Sequence, residues 1–358
     1  MDAIVGLRQS GKTTVFQALT AGHGSAADSG GEHIGVLNLP DDRLQRLGEL
    51  VRAKKITPHG VRLHDLPPLF ERGAAPAGEV AQTLTQADAL IHVVRAFRRE
   101  DVPHPQGSVN PERDIRAFEA ELLLHDLGII ERRLEKLDII VRSGRPAERE
   151  ASEREKQLLE RCKRLLDEQK PLRGQIDDVQ DRKALANFAP LSFKPMLVLL
   201  NIDEAGIASA ESIENEYSAK STAPQTAVAA MCAQLEAELA ELSPDEAAEF
   251  RRELGAGQGV MERVLAQLQR LLGLITFYTA GEKETRAWAI SAGSTALQAA
   301  GQIHTDIEKG FIRAEVIAWD KLLQLGSHVE AKKQGQLRTE GKQYVMQDGD
   351  VINVLFNV

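Results

Sequence analysis

Short apolar runs alternate with amphipathic stretches through the first part of the chain. Ala3-Ile4-Val5 predicts a buried strand, and from Lys12 to Ala21 the apolar residues Val15, Phe16 and Leu19 fall on a helical spacing. Ile34 to Leu39 predicts a second strand, closed by Pro40-Asp41-Asp42. Leu44, Leu47, Leu50 and Val51 then mark one face of a helix. Val61-Arg62-Leu63 runs as a strand into His64-Asp65. Ala89 to Val94 and Pro195 to Leu200 are continuous apolar runs of the kind found in buried strands, and Ala227 to Ala233 predicts a last strand. His92, inside the first of these runs, reads as a core histidine ahead of a catalytic one.

Between 111 and 170 the pattern changes. Pro111 opens a helix in which Leu123, Leu127, Ile130, Leu134, Leu137 and Val141 are spaced alternately by four and three, a heptad seam. Ser143-Gly144-Arg145-Pro146 breaks it, and Leu158, Cys162 and Leu165 resume the spacing. Two helices joined by a short turn predict an antiparallel coiled-coil hairpin, and the charge on its other faces suits an arm that reaches a partner. Residues 234–272 read as helices, with Ser243 as a cap ahead of Pro244. From Leu274 short strands take over: Leu274–Thr279, Arg286–Ile290, Phe311–Trp319, Gln343–Met346 and Val351–Phe356, the last two joined by a hairpin turn at Asp348-Gly349-Asp350. That mixture suits a small α+β domain of the β-grasp kind. The expected fold class is therefore α/β with a helical insertion and an α+β tail. The expected domains are 1–110 with 190–273, an insertion at 111–189, and 274–358.

The whole-chain numbers narrow the function classes. At 358 residues two or three domains are expected. A net charge of −9 argues against attraction of the whole molecule to nucleic acid. A local face of Arg313, Lys332, Lys333, Arg338 and Lys342 either meets RNA or simply solvates the surface. Cys162 and Cys232 make neither a disulfide framework nor a zinc spacing, which suits a reduced, cytoplasmic protein. No apolar run is long enough to span a membrane.

The chemistry is concentrated at the beginning. Gly6-Leu7-Arg8-Gln9-Ser10-Gly11-Lys12-Thr13-Thr14 fits G-x-x-x-x-G-K-[ST]. The two glycines let successive N–H groups curl round a phosphate, Lys12 reaches the outer phosphates, the Thr13 hydroxyl ligates Mg²⁺, and the following helix points its positive end at the anion. Asp65, at the end of a strand, fits a carboxylate that holds the metal through water. Pro68 stands where a glycine N–H would meet the γ-phosphate, and has no N–H. Asn201-Ile202-Asp203-Glu204 ends a strand where N-K-x-D would read guanine, with Ile202 for lysine and Glu204 for aspartate. Cys232 and Ala233 fall beside the base. The candidate nucleotide site is Gly6, Arg8, Gln9, Ser10, Gly11, Lys12, Thr13, Thr14, Asn201, Ile202, Glu204, Cys232 and Ala233, with Thr13 and Asp65 for the metal. No side chain is assigned as catalytic.

These motifs, with GVLNLPDDRL (35–44), ADALIHVVR (87–95), QLEAELAELSPDEAAEF (234–250) and the tail from Gly273 including LITFYTAGEKETRAWAI and YVMQDGDVINVLFNV, make the chain resemble the Obg-like ATPase (YchF) family. The resemblance implies an Obg-type G domain interrupted by a coiled-coil arm, a TGS domain after it, a preference for ATP over GTP, and association with ribosomes and translation. It also exposes departures. Arg8 and Gln9 replace a Pro-Asn pair whose asparagine is a suspected potassium ligand, and Gln234 replaces a lysine. A glycine-rich loop at 22–31 replaces the first switch, with no threonine between Thr20 and Thr57 and with Ser29 as the remaining stand-in. Asp65-Leu66-Pro67-Pro68-Leu69 replaces DIAGL, Leu69 matching the hydrophobic residue the family carries in place of a catalytic glutamine. Three readings stay open: a slow Mg²⁺-dependent ATPase switch on the ribosome, a divergent scaffold that binds nucleotide without hydrolysing it, and a GTP-binding protein.

Overall fold

The computed structural model describes residues 1–21, 33–38, 41–70, 76, 78–143, 145–221, 223–254 and 260–357. The glycine-rich loop at 22–31 with Ser29, Pro40 and the Gly144 break lie outside the described residues. The strands are β1 (Asp2–Val5), β2 (His33–Asn38), β3 (Ile56–Thr57), β4 (Gly60–Asp65), β5 (Leu90–Arg95), β6 (Met196–Asn201), β7 (Thr226–Met231), β8 (Leu274–Ala280), β9 (Thr285–Ser291), β10 (Phe311–Ala318), β11 (Arg338–Glu340) and β12 (Asp350–Phe356). The chain divides into two compact units. The first holds Met1–Leu37 and Arg62–Leu271; the second holds Asn38–Val61 and Leu272–Val358.

In the first unit the sheet runs β2-β4-β1-β5-β6-β7, and the pairs from β4 through to β7 are parallel. Every residue of β1, β5 and β6 is buried, as expected of strands covered on both faces. His92 on β5 is fully buried and stacks on Phe118 with ring centroids 4.0 Å apart. Burial, with Lys12 and Arg173 adding like charge, pushes its imidazole down to about 3, so the ring is neutral. Helix α1 (Lys12–Leu19) follows β1, and the order of parallel strands brings the ends of β1, β4 and β6 to one edge of the sheet.

The helical insertion is α4 (Pro111–Ser143) and α5 (Pro146–Asp167), in chain order after α2 (Asp42–Leu50) and α3 (Gly78–Gln86). The heptad seam closes as expected. Leu123, Ile130 and Leu137 bury against Leu158, Cys162 and Leu166, with Leu127, Leu134 and Leu165 partly buried beside them. Val141, expected in the seam, stays outside this cluster. Glu131 pairs with Lys163 at 2.7 Å and Asp138 with Lys156 at 2.7 Å, so the two helices run antiparallel. The base of the hairpin is held by polar groups. Asp126, fully buried on α4, accepts from the N–H groups of Leu191 (2.8 Å) and Ser192 (2.7 Å). Arg173, also fully buried, forms a two-pronged pair with Glu119 and donates to Thr226 Oγ1 at 2.8 Å. Helix α6 (Val179–Ala186) precedes β6, and after β6 come α7 (Ala210–Lys220), α8 (Ala233–Leu239), α9 (Pro244–Glu253) and α10 (Val260–Leu272). Ser243 caps α9 as expected, with Glu246 reaching back to its N–H at 3.0 Å.

The second unit carries a sheet of order β11-β10-β12-β8-β9-β3, with helices α11 (Ala296–Ile303), α12 (Thr305–Lys309), α13 (Trp319–Leu325) and α14 (His328–Lys333). Antiparallel pairs β8/β9 and β10/β12 meet through the parallel pair β12/β8. Three details differ from the sequence reading. Residues 38–61, read as part of an unbroken 1–110 segment, group instead with the C-terminal strands. The reason is packing: Leu44 and Leu47 of α2 are buried in one cluster with Tyr278, Ala287, Ile317 and Leu322, each leucine worth about 2 kcal/mol of burial. The Tyr278 hydroxyl donates to Asp41 at 2.5 Å, and Thr57 donates to Glu284. Second, Gln343–Met346 is not a strand. Its backbone is used elsewhere: the Tyr344 carbonyl accepts from Ala296 N at 2.8 Å and Met346 N donates to Ser294 at 2.9 Å. The strand beside β10 is Arg338–Glu340, so Asp348-Gly349-Asp350 is a turn into β12 and not a hairpin between two strands. Third, Trp319 opens α13 and does not end β10.

Candidate functional site

The loop from Gly6 to Gly11 is shaped by backbone conformations that favour glycine. Gly6 has φ 148° and Gly11 φ 87°, and Gln9 between them also takes a left-handed φ of 59°. Space is closed as well. A Cβ on Gly6 would lie 2.4 Å from the Val93 carbonyl oxygen, and one on Gly11 would lie 2.3 Å from Asn201 Nδ2. The loop then enters α1, whose first N–H groups have no intrahelical partner and point where an anion can be held.

Lys12 closes the loop on itself, and Thr13, Asp65 and Asn201 tie it to the strand ends. Lys12 is buried, and its ammonium donates to the carbonyls of Gly6 (3.2 Å) and Leu7 (3.1 Å). The Thr13 hydroxyl donates to Asp65 Oδ2 at 2.8 Å. Asn201, at the end of β6, donates through Nδ2 to the Ser10 carbonyl (3.1 Å) and accepts through Oδ1 from Ala233 N (3.2 Å). It therefore braces the phosphate loop against the β7–α8 turn. Asp65 is 3% exposed, and its second oxygen, Oδ1, is buried with no hydrogen bond among the described residues. A hydroxyl and a carboxylate with one unused oxygen, next to a loop of N–H groups, form a donor set that suits a hard divalent cation delivered with phosphate.

Beside the loop lies a cavity of about 340 Å³, lined among others by Gly11, Thr14, Asn201, Ile202, Glu204 and Cys232. These six were read from the sequence as one site, and the fold brings them together. Ala233 sits behind the cavity wall, fully buried, and contributes its N–H to Asn201. Asp203 also lines the cavity, and its carboxylate caps the turn after it by accepting from Gly206 N. Arg8 and Gln9 are on the exposed crest of the loop. Arg8 lines a separate space of about 240 Å³ with Gly6, Pro68, Leu69 and Phe118.

Sequence reasoning missed two contributors. Phe97, with Arg98 and Arg99, lines the larger cavity. The Arg95 guanidinium lies 4.6 Å from the Phe97 ring centroid and donates to the carbonyls of Phe97, Arg99 and Val102, which fixes that loop. The signal was present, an aromatic two residues beyond a strand end on the same sheet edge as Asn201. The second is His33, whose Nδ1 lies 3.2 Å from Asp65 Oδ2.

Comparison with known proteins agrees with this geometry. A family model, YchF-GTPase_C, described as "Protein of unknown function (DUF933)", matches residues 274–357. The chain is 36% identical over 367 residues to the ribosome-binding ATPase YchF of Bacillus subtilis, covering 99% of this chain and 98% of that protein. It is 36% identical over 365 residues to the protein of the same name from Escherichia coli O157:H7, with the same coverage. The structure of the Schizosaccharomyces pombe YchF GTPase superposes with a TM-score of 0.85 at 26% identity, covering 99% of this chain and 97% of that one. With full-length identity above a third to several such proteins, and a matching fold around a P-loop, this chain belongs to the YchF family of nucleotide-binding P-loop proteins.

Proposed function

We propose that the protein is a Mg²⁺-dependent purine-nucleotide switch, with ATP favoured over GTP, that acts at the ribosome in the cytoplasm. The observation that carries the reading is the Thr13–Asp65 pair, with a buried carboxylate oxygen that has no partner among the described residues, set against the glycine-bound loop. In this reading the N–H groups of residues 6–13, Gly6, Arg8, Gln9, Ser10 and Gly11 among them, wrap the phosphates. Lys12 leaves its two carbonyl partners for the outer phosphates. Thr13 and Asp65 hold the magnesium, which when bound neutralises phosphate charge. Thr14, Asn201, Ile202, Glu204 and Cys232 surround the base, with Ala233 behind them bonded to Asn201 and Phe97 as an added wall. Glu204 carries the carboxylate one methylene further out than an aspartate would, which disfavours the paired hydrogen bonds that guanine needs. The ribosome enters from the names of the Bacillus and Escherichia relatives, and the TGS-like second unit and the coiled-coil hairpin are the surfaces proposed to meet it.

A second reading, nucleotide binding without hydrolysis, is favoured by Pro67-Pro68, which offers no N–H after Asp65. One experiment separates them: equilibrium binding of ATP, GTP and their diphosphates with Mg²⁺, then single-turnover hydrolysis. ATP binding that disappears in Lys12→Ala, with slow turnover, is the expected result. Binding without turnover selects the scaffold reading. Nucleotide affinity that survives Lys12→Ala refutes the site.

A further inference from the structure

His33 opens β2, the strand beside the one that ends in Asp65. Its Nδ1 lies 3.2 Å from Asp65 Oδ2, the same oxygen that accepts the Thr13 hydroxyl at 2.8 Å. Imidazole, hydroxyl and carboxylate therefore converge on one atom at the mouth of the phosphate loop. The ring is about a quarter exposed, and its face packs near Phe16 of α1 with centroids 5.9 Å apart. Such a ring is fixed in place by its neighbours yet open to solvent on the side away from them. Among the described residues no group of three or more His, Cys, Asp or Glu gathers to hold a metal by itself. A cation here must bring oxygen ligands with it, as a metal–nucleotide does.

We infer that His33 is a nitrogen ligand of the nucleotide's divalent ion, and that it shifts the site's preference from magnesium toward manganese or cobalt. The inference rests on the metal–nucleotide reading of Thr13 and Asp65. Its chemistry is ligand softness. Magnesium holds its waters and prefers an all-oxygen shell. Imidazole nitrogen raises affinity along the series from manganese through cobalt, and magnesium gains little from it. A divalent ion bound at Nδ1 takes the place of that nitrogen's contact with Asp65 Oδ2.

The test uses the full chain with a non-hydrolysable ATP analogue and Mn²⁺, in protein grown with ¹⁵N-histidine. Pulsed electron paramagnetic resonance reads the nuclei coordinated to manganese independently of turnover. A ¹⁵N coupling of directly bonded strength is expected in the wild type and is absent in His33→Asn. The ratio of nucleotide affinity in Mn²⁺ to that in Mg²⁺ is expected to fall about tenfold in the same variant. A merely structural role, with His33 clamping Asp65, gives no histidine coupling and lowers both affinities alike; that result overturns the inference and leaves the function standing. Because the coupling is read in the wild type, a variant that fails to fold does not rescue the idea. Nucleotide that fails to bind with either metal overturns the functional reading and this inference together.

Discussion

Asn201 offers the sharpest test of how the site is held. Its side chain is 4% exposed and makes two hydrogen bonds, one to the Ser10 carbonyl and one from Ala233 N. Asn201→Ala leaves both backbone groups without a partner. A buried polar group so stranded costs about 1–3 kcal/mol. Water entering from the adjoining cavity recovers part of that, so the expected loss is about 2–4 kcal/mol of folding stability. Asn201→Asp separates the two bonds at constant volume. The carboxylate still accepts from Ala233, but it sets an oxygen against the Ser10 carbonyl where a donor had been. Its expected cost equals or exceeds that of alanine. Urea unfolding measures the stability, and a fluorescent ATP analogue measures the affinity, which should weaken in both variants as the phosphate loop loosens. If Asn201→Asp is as stable as the wild type, or Asn201→Ala loses less than about 0.5 kcal/mol, the brace is not what holds the loop.

Two further outcomes follow from buried charge. Asp2 is fully buried on β1, and burial pushes its carboxyl up to about 7, against weaker opposition from the N-terminal ammonium. A pKa raised from 3.8 to about 7 means the native state holds the proton more tightly, so Asp2 costs stability as pH rises from 4 to 7, by up to about 4 kcal/mol. Asp2→Asn should flatten that slope in denaturant unfolding across this range; an unchanged slope refutes it. Removing Arg173 alone, as Arg173→Leu, strands Glu119 and Thr226 and should cost about 3–5 kcal/mol. The Arg173→Leu, Glu119→Leu double variant should recover much of this loss, as read by thermal unfolding, and a double-variant loss equal to the sum of the two single losses would show that the pair is not coupled.

How much of this was legible depended on whether a signal was local. The phosphate loop was, because glycine, lysine and threonine at fixed spacing state their own geometry. The strand end at Asn201 was legible because a continuous apolar run led into it, and Asp65 because it followed the short strand Val61-Arg62-Leu63. The coiled-coil seam was legible from its period. Residues 38–61 were not: their amphipathic helix announces a buried face and says nothing about which sheet covers it. Gln343–Met346 reads as a strand by composition, but its carbonyl and N–H groups are taken by the start of α11. His33 and Phe97 escaped notice because each matters only through a residue on another strand, Asp65 for one and Asn201 for the other.

The grouping of 38–61 with the C-terminal strands has a consequence for synthesis. The ribosome makes α2 and β3 early, then roughly two hundred residues of the other unit, before any of β8 to β12 exists. At about 5–20 residues per second that interval is roughly 10–40 s. Throughout it Leu44 and Leu47 have no partner surface, while the unit that flanks them in sequence can already close. A nascent chain in that state exposes the apolar face of a short amphipathic helix until the last strands emerge. A chain truncated anywhere before β8 leaves the apolar face of that helix without the strands that bury it.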